Sequence, residues 1–409
     1  MSDYKIDVSN LKKQYEKWLF DDFLPFMDAH IIDHEKGGFM CEADQSGNLL
    51  STNKNSWYNG RGIWVYSFLY NNLTQDGRHL KTAQMAADFL LRRKPSDSNL
   101  WSAEFTRDGE PISCEKGVLI GGEYVDVAGQ VYGDLFIAEG FAECSKAADN
   151  QELWDVAKSI VCKCVRIYDR PDYAPSAPRV YMNSKSDVPG ARLLGVWMVL
   201  LRVCTQMLRI KHDHQLQNIC ERCLNAVFDH HYNPRYQLFN EVLNHDFSLP
   251  QNEYRNMFYT GHAIEILWMI MDEAKRIRDD QLFERAERCF KFHLETAWDE
   301  EYGGFFRCLK DAECNDWILD KAGWLQEEVL IGTLLLMSEK KSQWAQKWFH
   351  RTLSYVKEKV SLERYGLPLW NPWAPRDGVF QFNIKRIENY HHPRHLMLNL
   401  LEINKISRR

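Results

Sequence analysis

No stretch of this 409-residue chain stays apolar for the roughly 18 residues that a membrane-crossing helix needs. Its opening segment, MSDYKIDVSNLKKQYEKW, has no apolar core of the kind a secretory signal requires. Cationic excess is missing as well: 51 Lys and Arg stand against 57 Asp and Glu, a net charge of −6. That balance argues against nucleic acid or an anionic membrane as partner. The eleven cysteines follow no disulfide spacing. Cys162-Lys-Cys164 and Cys220-Glu-Arg-Cys223 fall inside helical patterns, and neither has a second ligand pair at zinc spacing. We therefore expect no metal, reduced thiols and a cytoplasmic location. A GxxxxGK[ST] loop, a dinucleotide fingerprint and a Gly-x-Ser-x-Gly elbow are also missing, so no cofactor is expected and a serine-hydrolase triad has no support.

Helical periodicity dominates what is present. Segments 11–27, 79–93, 152–169, 215–230, 281–298 and 343–360 are amphipathic, with a charged face made for water. They alternate with segments that are apolar nearly all round, at 59–73, 128–144, 189–204, 260–274, 321–336 and 390–403. A helix apolar on every side is buried on every side. Gly60, Gly129, Gly190, Gly261, Gly323 and His391 mark the six expected starts, at steps of 69, 61, 71, 62 and 68 residues. Such a period signals a repeat in which each unit buries its face on the next. Six outer–inner pairs closed into a ring make an all-α (α/α)6 barrel, and residues 1–409 can then be one domain. Gly-Gly-Phe recurs at 37–39 and 303–305, each time leaving an outer helix, and reads as a short hairpin. HHYNPRYQLFNEVLNHD (230–246) holds the same place in another unit, and Arg107-Asp-Gly109 reads as a further turn. Hairpins and inner-helix starts thus share one end of the barrel.

That end collects polar residues that a plain core helix would not carry. Arg61 follows Gly60; His262 follows Gly261; Gln326, Glu327 and Glu328 follow Trp324; His391, His392 and Arg394 open the last helix. Each has a structural reading as a hydrogen-bonded core residue or a hairpin cap. Together they place titratable groups at the same position in four of six repeats, which is costly unless a functional cavity is there. His392 is read as structural, and Glu265 and Glu327 as outward-facing or supporting. Two imidazoles on opposite sides of one carbon suit proton abstraction next to a carbonyl, with arginine stabilising the enolate.

Gly60-Arg61-Gly-Ile-Trp64, Gly261-His262-Ala-Ile-Glu265-x-x-Trp268, Trp324-Leu-Gln326-Glu-Glu328 and His391-His392-Pro393-Arg394 resemble, in order, four motifs of the N-acylglucosamine 2-epimerase family. The resemblance runs over nearly the whole chain. It implies an (α/α)6 barrel that exchanges a proton at C2 of an open-chain sugar, interconverting N-acetylglucosamine and N-acetylmannosamine. His262 and His391 are the catalytic residues it implies; Arg61, Glu328, Arg394, Trp324 and Gln326 are the substrate-binding ones. Relatives that act on cellobiose or mannose place a further histidine on the third inner helix. Here that helix reads Gly190-Ala-Arg192-Leu-Leu-Gly195-Val-Trp197-Met198, without one. A small-molecule sugar is the expected partner, and a homodimer is one assembly this reading admits. The competing enzyme class is an (α/α)6 glycoside hydrolase using paired carboxylates, with Asp126, Asp134 and Glu328 as nominees.

Overall fold

The computed structural model describes residues 7–408, apart from 98, 113–117, 121–122, 126–129, 176–187 and 383. Asp126, Gly129 and most of the 170–188 segment lie outside the described residues. The architecture is an (α/α)6 barrel. The inner helices are Ser56–Leu69, Val131–Ala147, Leu194–Ile210, Thr260–Ile277, Gly323–Lys340 and His391–Ser407. The outer ones begin at Val8, Gly77, Gln151, His214, Asp280 and Gln343. Each inner helix packs on the next, and the ring closes between the sixth and the first. One apolar cluster of buried residues runs from Leu11 to Ile403. Among the described residues, strands form only two-stranded antiparallel pairs.

The two rings start differently. All six outer helices carry a side-chain N-cap, from Asp7, Asp76, Asn150, Asp213, Asp279 and Ser342. Among inner helices only the first does, through Asn55. Of the others, the second and sixth are tied to side chains, Val131 N–H to Tyr173 OH and His391 N–H to Glu388 Oε1, both at 3.2 Å, and the remaining three are tied by early N–H groups to backbone carbonyls. Leu194 N–H donates to Glu241 O (2.9 Å), Gly261 to Arg307 O (3.1 Å) and Gly323 to Pro372 O (3.0 Å). This stitching fixes hairpins and inner-helix starts to each other.

Two expected starts are displaced. The first inner helix begins at Ser56, not Gly60. Gly60 is there for packing: a Cβ on it would lie 2.6 Å from the backbone of Phe136 and Ile137 on the second inner helix. The third begins at Leu194, because Gly190 takes a positive φ of 70° in the preceding turn.

The Gly-Gly-Phe repeat has a matching set of clamps. Asn59 Oδ1 accepts from Phe39 N–H at 3.0 Å, and Gln326 Oε1 accepts from Phe305 N–H at 3.0 Å. Lys54 pairs with Asp33 at 2.9 Å, and Lys321 pairs with Asp299 at 2.9 Å. Arg107 and Arg376 add a second cation to each aspartate, at 2.8 and 3.0 Å. Burial alone would raise the Asp299 carboxyl, but Arg376 and Lys321 outweigh it and hold it at about 2. Asp299→Ala strands a buried Lys321, and we expect it to cost about 3–5 kcal/mol in urea denaturation. The wild-type contribution is present above the ordinary carboxylate range and is lost only as pH falls through about 2.

Candidate active site

Six of the seven site residues named from the sequence are buried at the hairpin end, and only Trp324 is partly exposed. His262 sits in the first turn of the fourth inner helix and His391 at the first position of the sixth. Both imidazoles pack on the same indole: ring centroids lie 6.2 Å (His262) and 5.3 Å (His391) from Trp324. Arg61 and Glu328 come from second turns rather than first turns, one turn deeper along the axis.

Each histidine leans on a buried carboxylate through Nδ1. His391 Nδ1 lies 2.9 Å from Glu328 Oε1, and His262 Nδ1 lies 3.0 Å from Glu241 Oε1. A carboxylate oxygen accepts, so each Nδ1 carries a hydrogen and Nε2 is the nitrogen left to exchange a proton. Arg394 Nη2 also approaches His391 Nδ1, at 3.1 Å. Its two hydrogens are already spent on Glu265 Oε1 and Glu328 Oε1, both at 2.5 Å, so that approach is not a hydrogen bond.

The two carboxylates differ. Glu328 is shared: besides His391 it takes Arg394 and Trp268 Nε1–H, the latter at 2.7 Å. Burial pushes the Glu328 carboxyl up, against the pull of Arg394. Glu241 has His262 as its only ion-pair partner among the described residues, helped by the Gly195 N–H at 3.3 Å. A Cβ at Gly195 would stand 2.8 Å from the His262 ring, so this pair requires glycine on the third inner helix.

Arg61 is the least conventional member. It is 5% exposed, and no carboxylate among the described residues forms an ion pair with it. Aromatic faces hold it instead: Phe136 at 4.1 Å, Trp57 at 4.7 Å and Tyr390 at 4.7 Å. Its Nη2 points at His391 Nε2, 3.5 Å away, and its Nε has no partner. A buried guanidinium with spare donors is matched to an oxyanion. Burial, with Arg394 and Arg61 nearby, drives His391 down to about 3, so its imidazole is neutral at pH 7. Inner-helix N-termini converge here, and their positive dipole ends act in the same sense. We expect Arg61→Gln to raise the His391 pKa, because a neighbouring cation is removed; imidazole C–H resonances followed against pH would show it.

Other expectations change. Gln326 spends its whole amide on backbone, at Phe305 N–H and O and Ala322 O, and so acts as a clamp. Glu265, read as outward-facing or supporting, is buried and bridged to Glu328 by Arg394. Asp134 faces outward to Lys163 at 2.9 Å, away from Glu328, which removes one nominee for a paired-carboxylate hydrolase. His392 is structural as expected, donating from Nδ1 to Glu327 Oε1 at 2.7 Å, and Glu327 is buried beside it. Two donor groups are compact enough for a cation, Glu265–Glu328–His391 and Glu327–His392–His395. In the first, the Arg394 guanidinium already stands between the carboxylates. In the second, His395 Nδ1 donates to His392 O at 2.9 Å.

Sequence reasoning missed Glu241. Its signal was a carboxylate flanked two residues either side by Phe239 and Leu243, all three buried. In an extended segment those positions share a face.

The chain is similar to known proteins over most of its length. Residues 37–393 match the N-acylglucosamine 2-epimerase (GlcNAc 2-epimerase) family. The mouse N-acylglucosamine 2-epimerase is 24% identical over 398 residues, covering 91% of this chain and 86% of its own. The cellobiose 2-epimerase of Dictyoglomus turgidum is 22% identical over 349 residues, covering 80% and 82%. In fold, the solved cellobiose 2-epimerase from Spirochaeta thermophila superposes with a TM-score of 0.81 over 100% of both chains, at 16% identity. Identity that low speaks for the fold alone.

Proposed function

The chain belongs to the N-acylglucosamine 2-epimerase family, and on that premise we propose that it epimerises an N-acylated amino sugar at C2 by proton exchange between His391 and His262. The observation that carries the reading is the pair of Nδ1-anchored imidazoles packed on one indole. The sugar must open first, because only the aldehyde acidifies the C2 hydrogen. Its O1 then competes with His391 Nε2 for Arg61, whose Nη2 lies 3.5 Å from that nitrogen. Drawing Arg61 onto O1 frees the base and removes a cation from beside it, so its basicity rises when it is needed. His391 takes the C2 proton while charge builds on O1 against Arg61. His262 enters the cycle with a proton on Nε2, backed by Glu241, and gives it to the opposite face of C2, which leaves His391 protonated and His262 neutral. In the reverse direction the roles exchange, and proton exchange with water resets the pair.

The N-acyl preference is supported by the third inner helix, which presents Gly195 beside His262 where an imidazole would not fit. Turnover of N-acetylmannosamine, mannose and cellobiose, each followed separately by NMR, tests it. We expect the N-acylated sugar to be converted fastest; comparable or faster conversion of mannose or cellobiose would reassign the substrate.

A further inference from the structure

A cavity of about 480 Å³ opens at the other mouth of the barrel, where the C-terminal parts of the inner helices meet. Phe68, Glu143, Arg202, Trp268, Leu335 and Leu398 each come from a different inner helix. Lys146, Lys405 and Arg408 stand at or near last turns, where helix C-termini attract cations anyway. Arg202 has no such explanation. It lies two turns inside its helix and is 5% exposed. Its two ion pairs are long, with Nε 3.5 Å from Glu139 and Nη1 3.4 Å from Asp272, and its guanidinium lies 5.7 Å from the Trp64 ring and 5.5 Å from the Trp268 ring. Arg209 already grips both oxygens of Asp272 at 2.8 Å. The Arg202 Nε has no hydrogen-bond partner, and none is formed by Nη2 among the described residues. Lys146 and Arg408 are exposed and form no ion pair among the described residues. A buried guanidinium with Nε and Nη2 left without hydrogen bonds favours a ligand with paired acceptor oxygens.

The cavity wall is wired to the histidine end. Glu139, beside Arg202, accepts from Tyr390 OH at 2.8 Å. That hydroxyl accepts from Arg394 Nη1 at 3.1 Å, and Arg394 holds Glu328, the partner of His391. Trp268 lines the cavity and donates to Glu328 directly.

We propose that this mouth binds a small oxyanion, a phosphate or carboxylate group, on Arg202 with Lys146 and Arg408 at the rim, and that occupancy is transmitted to His391 through Glu139, Tyr390 and Arg394. Neither binding nor transmission requires the epimerase reading, since both are measured without turnover. Inorganic phosphate and acetate are titrated separately into the full chain by calorimetry at constant ionic strength. One saturable site for either anion is expected, weakened roughly tenfold or more by Arg202→Gln and by about threefold or more in Lys146→Ala/Arg408→Ala. Arg61→Gln, at the far end, leaves it unchanged. Should Arg202→Gln fail to fold by circular dichroism, the rim double variant decides. Saturation should also move the His391 ring resonances, and Tyr390→Phe should abolish that movement. Absence of saturable binding, or equal binding in all variants, overturns the site. Binding that leaves the His391 resonances still overturns the transmission.

Discussion

Replacing His391 by alanine should lower kcat by roughly 10²–10⁴, the usual contribution of a general acid–base group, while barely moving the melting temperature. The stability half of that expectation follows from what remains. Glu328 keeps Arg394 at 2.5 Å and Trp268 at 2.7 Å, so no buried charge is stranded. His262→Ala should lose turnover to a similar extent but also melt at a lower temperature. It leaves Glu241, which is fully buried, with the Gly195 N–H at 3.3 Å as the one remaining hydrogen-bond partner of its side chain among the described residues. Steady-state kinetics beside thermal denaturation separates the two variants. Equal melting temperatures for both would contradict the asymmetry between the two carboxylates.

Arg394→Met should be the most disruptive single change. It removes the only ion-pair partner of Glu265 among the described residues and the main one of Glu328, both buried. Breaking a buried pair in this way costs about 3–5 kcal/mol, because an uncompensated charge is left behind. Adding Glu265→Gln should recover part of the stability, since one stranded carboxylate is neutralised, but none of the turnover. Urea midpoints of the two single variants and the double variant test this. A double variant no more stable than Arg394→Met would show that Glu265 is not held by that guanidinium.

The barrel was legible because its rule is simple: amphipathic and all-apolar helices alternate at a nearly constant step. The site was legible where polar residues interrupted inner-helix starts, as at His262, Glu328, His391 and Arg394. Of the two readings given to Glu265, the supporting one fits, since it stands three residues after His262 on one helix face and Arg394 bridges it to Glu328. The reading failed elsewhere. Glu241 sits on a hairpin, where alternation is too short to stand out and its partner comes from another element. Gln326 erred in the other direction. An amide near a site looks like a ligand-binding group until its backbone partners, distant in sequence, are seen. Helix boundaries failed at Gly60 because glycine was taken as punctuation where it serves close packing.

The central claim is that a proton, not a hydride, leaves and returns at C2. Turnover of N-acetylmannosamine in deuterium oxide, followed by proton NMR, tests it most directly. The account predicts solvent deuterium at C2 of the N-acetylglucosamine formed. Product that retains the substrate's own hydrogen at C2 would contradict it, because a hydride shift or an oxidised intermediate would then be at work.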